Sequence, residues 1–156
     1  MARRDFYDDP NAPQVNSVVP AVTAFVVNSA GAVLMERRSD NGLWGLPGGV
    51  HEPGESIAGT VVREVLEETG IKVDVVGLVG IYTDPGHVIA FDDGEVRQEF
   101  SLCFRARPVS GGLVASAESI RVDWIPIAEL GQTDMSPSTR RRIGDALATD
   151  AAPTIA

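Results

Sequence analysis

The chain predicts one α/β domain in which helices cover both faces of a mixed β-sheet, an α/β/α sandwich. Three observations carry this. Short β-prone runs recur along most of the sequence, one amphipathic helix interrupts them at residues 56–69, and a second helix comes last. A sheet with apolar residues on both faces is buried only if helices lie on both sides of it. A length of 156 residues suffices for one substantial core.

The elements follow in order. Residues 1–16 are polar and carry Pro10 and Pro13, so they are read as a flexible arm. The domain proper is placed at 17–149 and a frayed tail at 150–156. Val18 to Val27 is strongly β-prone, Asn28-Ser29-Ala30-Gly31 is a turn, and Ala32 to Glu36 is the partner strand of a hairpin. Arg37 to Trp44 is a loop. Ser56 is an N-cap and Gly70 a left-handed C-cap for the helix between them. Ala58, Val61, Val62, Val65 and Leu66 gather on one side of that helix as its core face. Lys72 to Thr83 is a strand interrupted at Gly77 and Gly80, and turn signals follow at Asp84-Pro85-Gly86 and Asp92-Asp93-Gly94. Glu95 to Arg107 alternates as a strand, Gly111-Gly112 ends it, and Val122 to Ile125 is a short strand. Ser136-Pro137 matches the preferences at N-cap and first helical position and opens a helix to about Ala148.

Composition narrows the function. The net charge is −9. Such a chain has no basic stripe for nucleic-acid phosphates, so nucleic acid is not an expected partner. A small anionic substrate that arrives with a divalent cation is still allowed. Cys103 is the only cysteine, so no intramolecular disulfide forms, and its place in Phe100–Phe104 makes it a core residue. No run reaches the ~18 apolar residues of a membrane span. Arg3-Arg4 precedes acidic and aromatic residues instead of an apolar signal segment. A membrane partner is therefore not expected, the cytoplasm is the expected compartment, and a homodimer is kept open.

Glu64, Glu67 and Glu68 stand at i, i+3 and i+4, on one face of the predicted helix within an arc of about 100°. Like charges at these spacings repel. Arg63 offsets part of the repulsion, and the remainder calls for a cation. All-oxygen ligands suit Mg²⁺ or Mn²⁺ better than zinc. Leu46-Pro47-Gly48-Gly49 and Glu52-Pro53-Gly54-Glu55 precede the helix, with glycines where backbone approaches something closely. Such a turn offers a carbonyl ligand or amide donors beside a helix N-terminus.

Residues 49–71 fit one pattern without a gap: G-x5-E-x7-R-E-U-x-E-E-x-G-U, with U aliphatic. Its fixed positions are Gly49, Glu55, Arg63, Glu64, Glu67, Glu68 and Gly70, with Val65 and Ile71 at U. At ordinary frequencies of roughly 6% per residue, a chance match is on the order of one in a billion per start position. The segment resembles the Nudix box of the Nudix hydrolases, and Leu43–Gly49 resembles the run that leads into it. The resemblance implies a Nudix-type α/β/α sandwich and Mg²⁺-dependent hydrolysis of a nucleoside diphosphate linked to another moiety, with Mn²⁺ as a substitute. It implies Gly48 (through its carbonyl), Glu64, Glu67 and Glu68 as metal ligands. Arg63 resembles the arginine that orients the box carboxylates, and Glu55 the glutamate that holds the loop to the helix.

The base that activates water is either a box glutamate, Glu67 foremost, or one on a later loop. There Glu118 is preferred and Glu99 second. Arg38, with Arg37 beside it, resembles a phosphate-contacting arginine at the end of the second strand. Trp44 either packs or stacks on a base, and packing is favoured. Neither His51 nor His87 receives a catalytic role. Gly59 and Thr60 depart from common usage, and Gly59 costs about 1 kcal/mol of helix stability relative to Ala. Pro85, 14 residues beyond Ile71, resembles a proline of ADP-ribose-cleaving members. ADP-ribose or another nucleotide-sugar is the first substrate, an ordinary or oxidised nucleoside triphosphate the second. A non-catalytic nucleotide-binding regulator is the alternative of a different class.

Overall fold

The computed structural model describes residues 2–148 and 152–156. Strands β1 (Arg3–Tyr7), β2 (Ser17–Val18), β3 (Ala21–Val26), β4 (Ala32–Arg38), β5 (Trp44–Gly45) and β6 (Gly48–Val50) precede helix α1 (Ile57–Thr69). Then come β7 (Ile71–Tyr82), β8 (His87–Phe91), β9 (Val96–Gln98), β10 (Ser101–Gly111), β11 (Ser119–Pro126), a 3₁₀ turn (Ile127–Gln132), α2 (Pro137–Leu147) and β12 (Thr154–Ile155). Among the described residues no helix is long and apolar enough to cross a membrane.

The central sheet is five-stranded and mixed, in the order β12-β7-β10-β3-β6. Alternation along β3 divides its side chains between two cores. Val22, Ala24 and Val26 meet Val61 and Val65 of α1, together with Val73, Ala106 and Leu34. Phe25 meets Ile143 and Ala146 of α2, together with Val79, Tyr82 and Cys103. A helix thus covers each face, and the predicted α/β/α sandwich is the observed one. Cys103 is fully buried, and Trp44 packs against the α2 core.

Several expectations need correction. The Asn28–Gly31 turn forms, with Asn28 Oδ1 accepting from the N–H groups of Ala30 and Ala32 at 3.0 and 2.9 Å. The hairpin does not extend beyond it. After one bridge between Val27 and Val33, β3 joins the central sheet while β4 pairs with β11 and β5. Ala32–Met35 are all buried, with Val33 and Met35 in one core and Leu34 in the other, and both edges of β4 are taken by β11 and β5. The single strand expected from Glu95 to Arg107 breaks at Glu99-Phe100, and its halves serve different sheets. On α1, Ala58 is exposed and Leu66 is 47% exposed, so the core stripe is narrower than its apolar residues suggest.

The N-terminal arm is no loose segment. Arg3–Tyr7 pairs antiparallel with β8 in a small sheet of order β1-β8-β9-β2. Its polar side chains are what anchor it. Asp5 Oδ1 lies 2.8 Å from His87 Nε2, His87 Nδ1 lies 3.3 Å from Glu99 Oε1, and Arg142 of α2 donates to Glu99. Tyr7 stacks on the His87 ring at 4.4 Å. The expected tail is also partly ordered. Thr154–Ile155 runs parallel to β7, and the Thr83 N–H donates to the Ala156 carbonyl at 2.6 Å. Residues 149–151 of the expected domain end and tail lie outside the described residues.

This chain of charges gives the fold a pH dependence. Burial opposes a charge on His87, yet Asp5 and Glu99 outweigh it and raise its pKa above the ordinary 6.5. Its contribution to stability is complete below about pH 6.5 and is lost as pH rises through the raised value. Burial likewise opposes the charges of Asp5 and Glu99. His87 and Arg3 together outweigh it at Asp5, and His87 and Arg142 at Glu99, so both lie below the ordinary 3.8 and 4.5 and their contribution is lost in acid. Stability should therefore fall as pH rises above about 6.5. Denaturant titrations across that range should show this slope in the native chain and its loss in His87→Asn. An equal slope in both would remove His87 as the anchor of β1.

Candidate active site

Helix α1 starts where the sequence says. Ser56 Oγ accepts from the Gly59 N–H at 3.1 Å, and Gly70 caps the other end at φ 79°. Gly59 has a local reason, because a Cβ there would come within 3.1 Å of the capping Ser56 hydroxyl. Thr60, fully buried, donates to Glu55 Oε2 at 2.8 Å, and its hydroxyl lies 2.6 Å from His51 Nδ1. These bonds fold the loop 51–55 onto the first turn of the helix.

Arg63 completes that junction. Its Nε donates to Glu55, one terminal nitrogen to Glu64 Oε1 at 2.7 Å and Glu67 Oε2 at 3.3 Å, and the other to the Val50 carbonyl at 3.1 Å. The guanidinium holds the Glu55 carboxyl down at about 2. Glu55 is thereby fixed as an anion that ties loop to helix.

The carboxylate side of α1 faces a cavity of about 690 Å³, within the range of small-molecule sites. Gly48, Gly49, Glu64, Glu67, Glu68, Arg38 and Glu118 all line it. Glu68 is buried at 8% exposure, and its Oε2 accepts from the Gly48 N–H at 2.9 Å. Burial, with the charges of Glu36 and Glu64, pushes its pKa up to about 9. Burial raises Glu64 as well, against the opposing Arg63 and with help from Glu67 and Glu118. The two glycines work differently. A Cβ at Gly48 would overlap the Val22 carbonyl, whereas one at Gly49 would overlap the Glu64 carboxylate. Gly49→Ala should therefore fold normally and lose activity about tenfold or more through a displaced Glu64, while Gly48→Ala should destabilise the β3–β6 pair. Thermal melts beside a rate assay separate the two; equal behaviour of both variants would refute the distinction.

Sequence reasoning missed Glu36. This β4 carboxylate is 3% exposed and accepts from Ser119 Oγ at 2.6 Å; burial raises its pKa, and its charge helps to raise that of Glu68. The signal was available. Leu34, Glu36 and Arg38 alternate onto one face of β4, and an acid that ends an apolar run has a partner if it is buried.

The other expected residues divide. Arg38 lines the cavity, held by Asp40 through bonds of 3.0 and 2.7 Å. Arg37, one residue earlier, alternates to the other side of β4, and its Nε donates to the Gly42 carbonyl at 3.0 Å. It is not part of the cavity wall. Glu118 sits on a loop fixed to the end of β4, where Ser39 donates to its carbonyl through N–H at 3.0 Å and Oγ at 2.8 Å. Glu99 lines the cavity but is 6% exposed and committed to Arg142 and His87, which removes it as a candidate base. Glu67 is 60% exposed, on the outer edge of the carboxylate face. Pro85 belongs to a turn whose Gly86 carbonyl accepts from Asp8, away from the cavity wall.

The donor set fits a hard divalent cation. Burial raises the pKa of Glu64, Glu68 and Glu36 alike, so their negative charges are costly there until a cation joins them. Among the described residues no three acidic, histidine or cysteine side chains already converge on one point. Glu67 is turned toward Arg63, so joining Glu64 and Glu68 on an ion requires it to swing inward from its exposed position.

Known proteins of similar sequence and fold point to one family. The NUDIX domain family model matches residues 18–147. A MutT-like protein of Streptomyces ambofaciens is 38% identical over 124 residues, covering 80% of this chain and 73% of that protein. A putative 8-oxo-dGTP diphosphatase of Bacillus subtilis (strain 168) is 31% identical over 120 residues, covering 77% and 74%. Among solved structures, a NUDIX hydrolase from Nitrosomonas europaea superposes with a TM-score of 0.70 at 26% identity, covering 88% of this chain and 93% of that one.

Proposed function

The chain belongs to the Nudix hydrolase family, and on that premise we propose that it hydrolyses a phosphoanhydride bond in a nucleoside diphosphate linked to a second group, with Mg²⁺ as cofactor and Mn²⁺ as a substitute. The observation that carries this is the trio Glu64, Glu68 and Glu36, each held above its ordinary pKa by burial, with Gly48, Glu64, Glu68 and Arg38 on the wall of one cavity. Bound there, a divalent cation supplies charge neutralisation for phosphate oxygens and acidifies water.

The residues would divide the work as follows. Glu64, Glu67 and Glu68 hold the cation, with the Gly48 carbonyl as a further ligand. Glu36 shares the buried end with Glu68 and keeps that carboxyl in place. Arg63 is a positioning residue, binding Glu55, Glu64 and Glu67 at once. Glu118, on the cavity wall at the end of β4, accepts the proton of the attacking water. Arg38 contacts the phosphate chain. Its clamp by Asp40 fixes the guanidinium before substrate arrives, which reduces the ordering cost of binding.

ADP-ribose or another nucleotide-sugar is the first substrate proposed. A nucleoside triphosphate, including an oxidised one, is a second reading, favoured by the relative named as a putative 8-oxo-dGTP diphosphatase. The box glutamates all stand, which favours an enzyme over a binding regulator. A nucleotide panel with Mg²⁺, Mn²⁺ or chelator, read by product chromatography, tests the proposal. Metal-dependent release of a nucleoside monophosphate supports it; no turnover across sugars and triphosphates would reject it.

A further inference from the structure

Asn41-Gly42 stands in the loop from β4 to β5, next to the arginine that lines the cavity. An asparagine followed by glycine can modify itself, because the next backbone nitrogen reaches the side-chain amide carbon with no Cβ in the way. The other asparagines, Asn11, Asn16 and Asn28, precede Ala12, Ser17 and Ser29.

The structure separates them further. Asn16 is held at both ends of its amide, with Nδ2 donating to the Gly94 carbonyl at 3.0 Å and Oδ1 accepting from the Val96 N–H at 2.8 Å. Asn28 Oδ1 accepts from two N–H groups of its turn. Asn41 is exposed, and among the described residues its side chain bonds through Oδ1 alone, which accepts from the Leu43 N–H at 3.0 Å. That bond draws electrons from the amide carbon and leaves Nδ2 free to depart. Gly42 has open space where a Cβ would stand, at a φ of 72°. One bond opposes attack: the Gly42 N–H donates to the Arg38 carbonyl at 3.0 Å. Exposed loops open locally at little free-energy cost, so this slows the step without forbidding it.

We propose that Asn41 is a self-modification site whose conversion releases Arg38. The Gly42 nitrogen bonds to the Asn41 Cγ, the amide nitrogen leaves as ammonia with the Gly42 proton, and a succinimide ring closes. Water then opens the ring at either carbonyl, giving an aspartyl or an isoaspartyl link. Nothing is oxidised or reduced. The isoaspartyl link carries the backbone through Cβ and lengthens it by that carbon. The loop has no slack for it. The Arg38 N–H donates to the Leu43 carbonyl at 2.9 Å, Arg37 Nε donates to the Gly42 carbonyl at 3.0 Å, and Asp40 clamps the Arg38 guanidinium. A longer backbone breaks that register and frees Arg38 from its clamp. The chemistry at Asn41 is independent of the hydrolase reading; its effect on substrate rests on that reading.

The test incubates the folded chain in mildly alkaline buffer and follows its tryptic peptides by mass. The peptide of residues 39–63 contains Asn41 and no other side-chain amide, so the mass gain of an amide turned acid assigns the site. This peptide should convert before those holding Asn16 and Asn28, into two products of equal mass that separate on chromatography. Asn41→Gln should stay unconverted under the same conditions. Converted chain, separated by ion exchange, should show KM raised by about tenfold or more. Asn41→Asp, which adds the charge without lengthening the backbone, should keep KM within about threefold of native. An unconverted peptide, or earlier conversion at Asn16 or Asn28, overturns the site. A native KM in converted chain, or an equal rise in Asn41→Asp, overturns the release of Arg38 by backbone lengthening. A fresh chain without turnover counts against the hydrolase reading, and the mass result still judges the site.

Discussion

Glu68→Gln should lower turnover at least about a hundredfold without unfolding the protein, a loss of about 2.7 kcal/mol of transition-state stabilisation. The glutamine keeps an oxygen that can accept from the Gly48 N–H, so the bond that seats the side chain survives. What it removes is the charge that a divalent cation needs from a ligand, and metal neutralisation is worth several kcal/mol in such reactions. Glu67→Gln should lose activity to a similar degree. Because Glu67 is exposed, its variant should leave the stability of the metal-free protein unchanged. In both, the rise in melting temperature on adding Mg²⁺ should shrink relative to the native chain. A near-native rate in either variant would remove that residue from the metal site.

Glu118→Gln should reduce kcat by about a hundredfold to ten-thousandfold while Mg²⁺ affinity stays nearly intact, because a base must reach the water without touching metal. Ser39 donates to the Glu118 carbonyl and the Glu118 N–H donates to the Ser116 hydroxyl, so the loop is held independently of the Glu118 carboxyl and the variant should not displace it. Kinetic titration with Mg²⁺ separates this variant from the box variants, which should weaken both quantities. Full activity in Glu118→Gln from about pH 6 to about pH 9 would move the base into the box, with Glu67 as the residue to test next.

Local chemistry made much of the fold legible. Ser56 and Gly70 fix the ends of α1 by their own preferences, and Ser136-Pro137 opens α2 the same way. The alternating apolar residues of β3 required core on both faces. What could not be read was pairing at a distance. Arg3–Tyr7 looks like a polar arm because Asp5 finds its reason only in His87, 82 positions away. The turn at Asn28 says that the chain reverses, and says nothing of the sheets that β3 and β4 then enter.

The site divides along the same line. The glutamates of α1 and their arginine lie within about one and a half helical turns, so spacing alone places them together. Arg37 and Arg38 are neighbours in sequence, and only the strand's pleat decides that Arg38 reaches the cavity while Arg37 binds a loop. The strand pattern around Glu36 signals its burial, but not its partners Ser119 and Glu68, which come from two other elements. Glu99 looks equally available in sequence, and its commitment to Arg142 appears only when α2 packs against the sheet.

The central claim is that water attacks phosphorus in a phosphoanhydride. Turnover in ¹⁸O-labelled water, with ADP-ribose or whichever nucleotide of the panel is hydrolysed, tests it most directly. Mass spectrometry of the products should find the label in a phosphate group, with AMP and ribose 5-phosphate as the products from ADP-ribose. Label on a sugar carbon would mean glycosidic cleavage and would contradict the account.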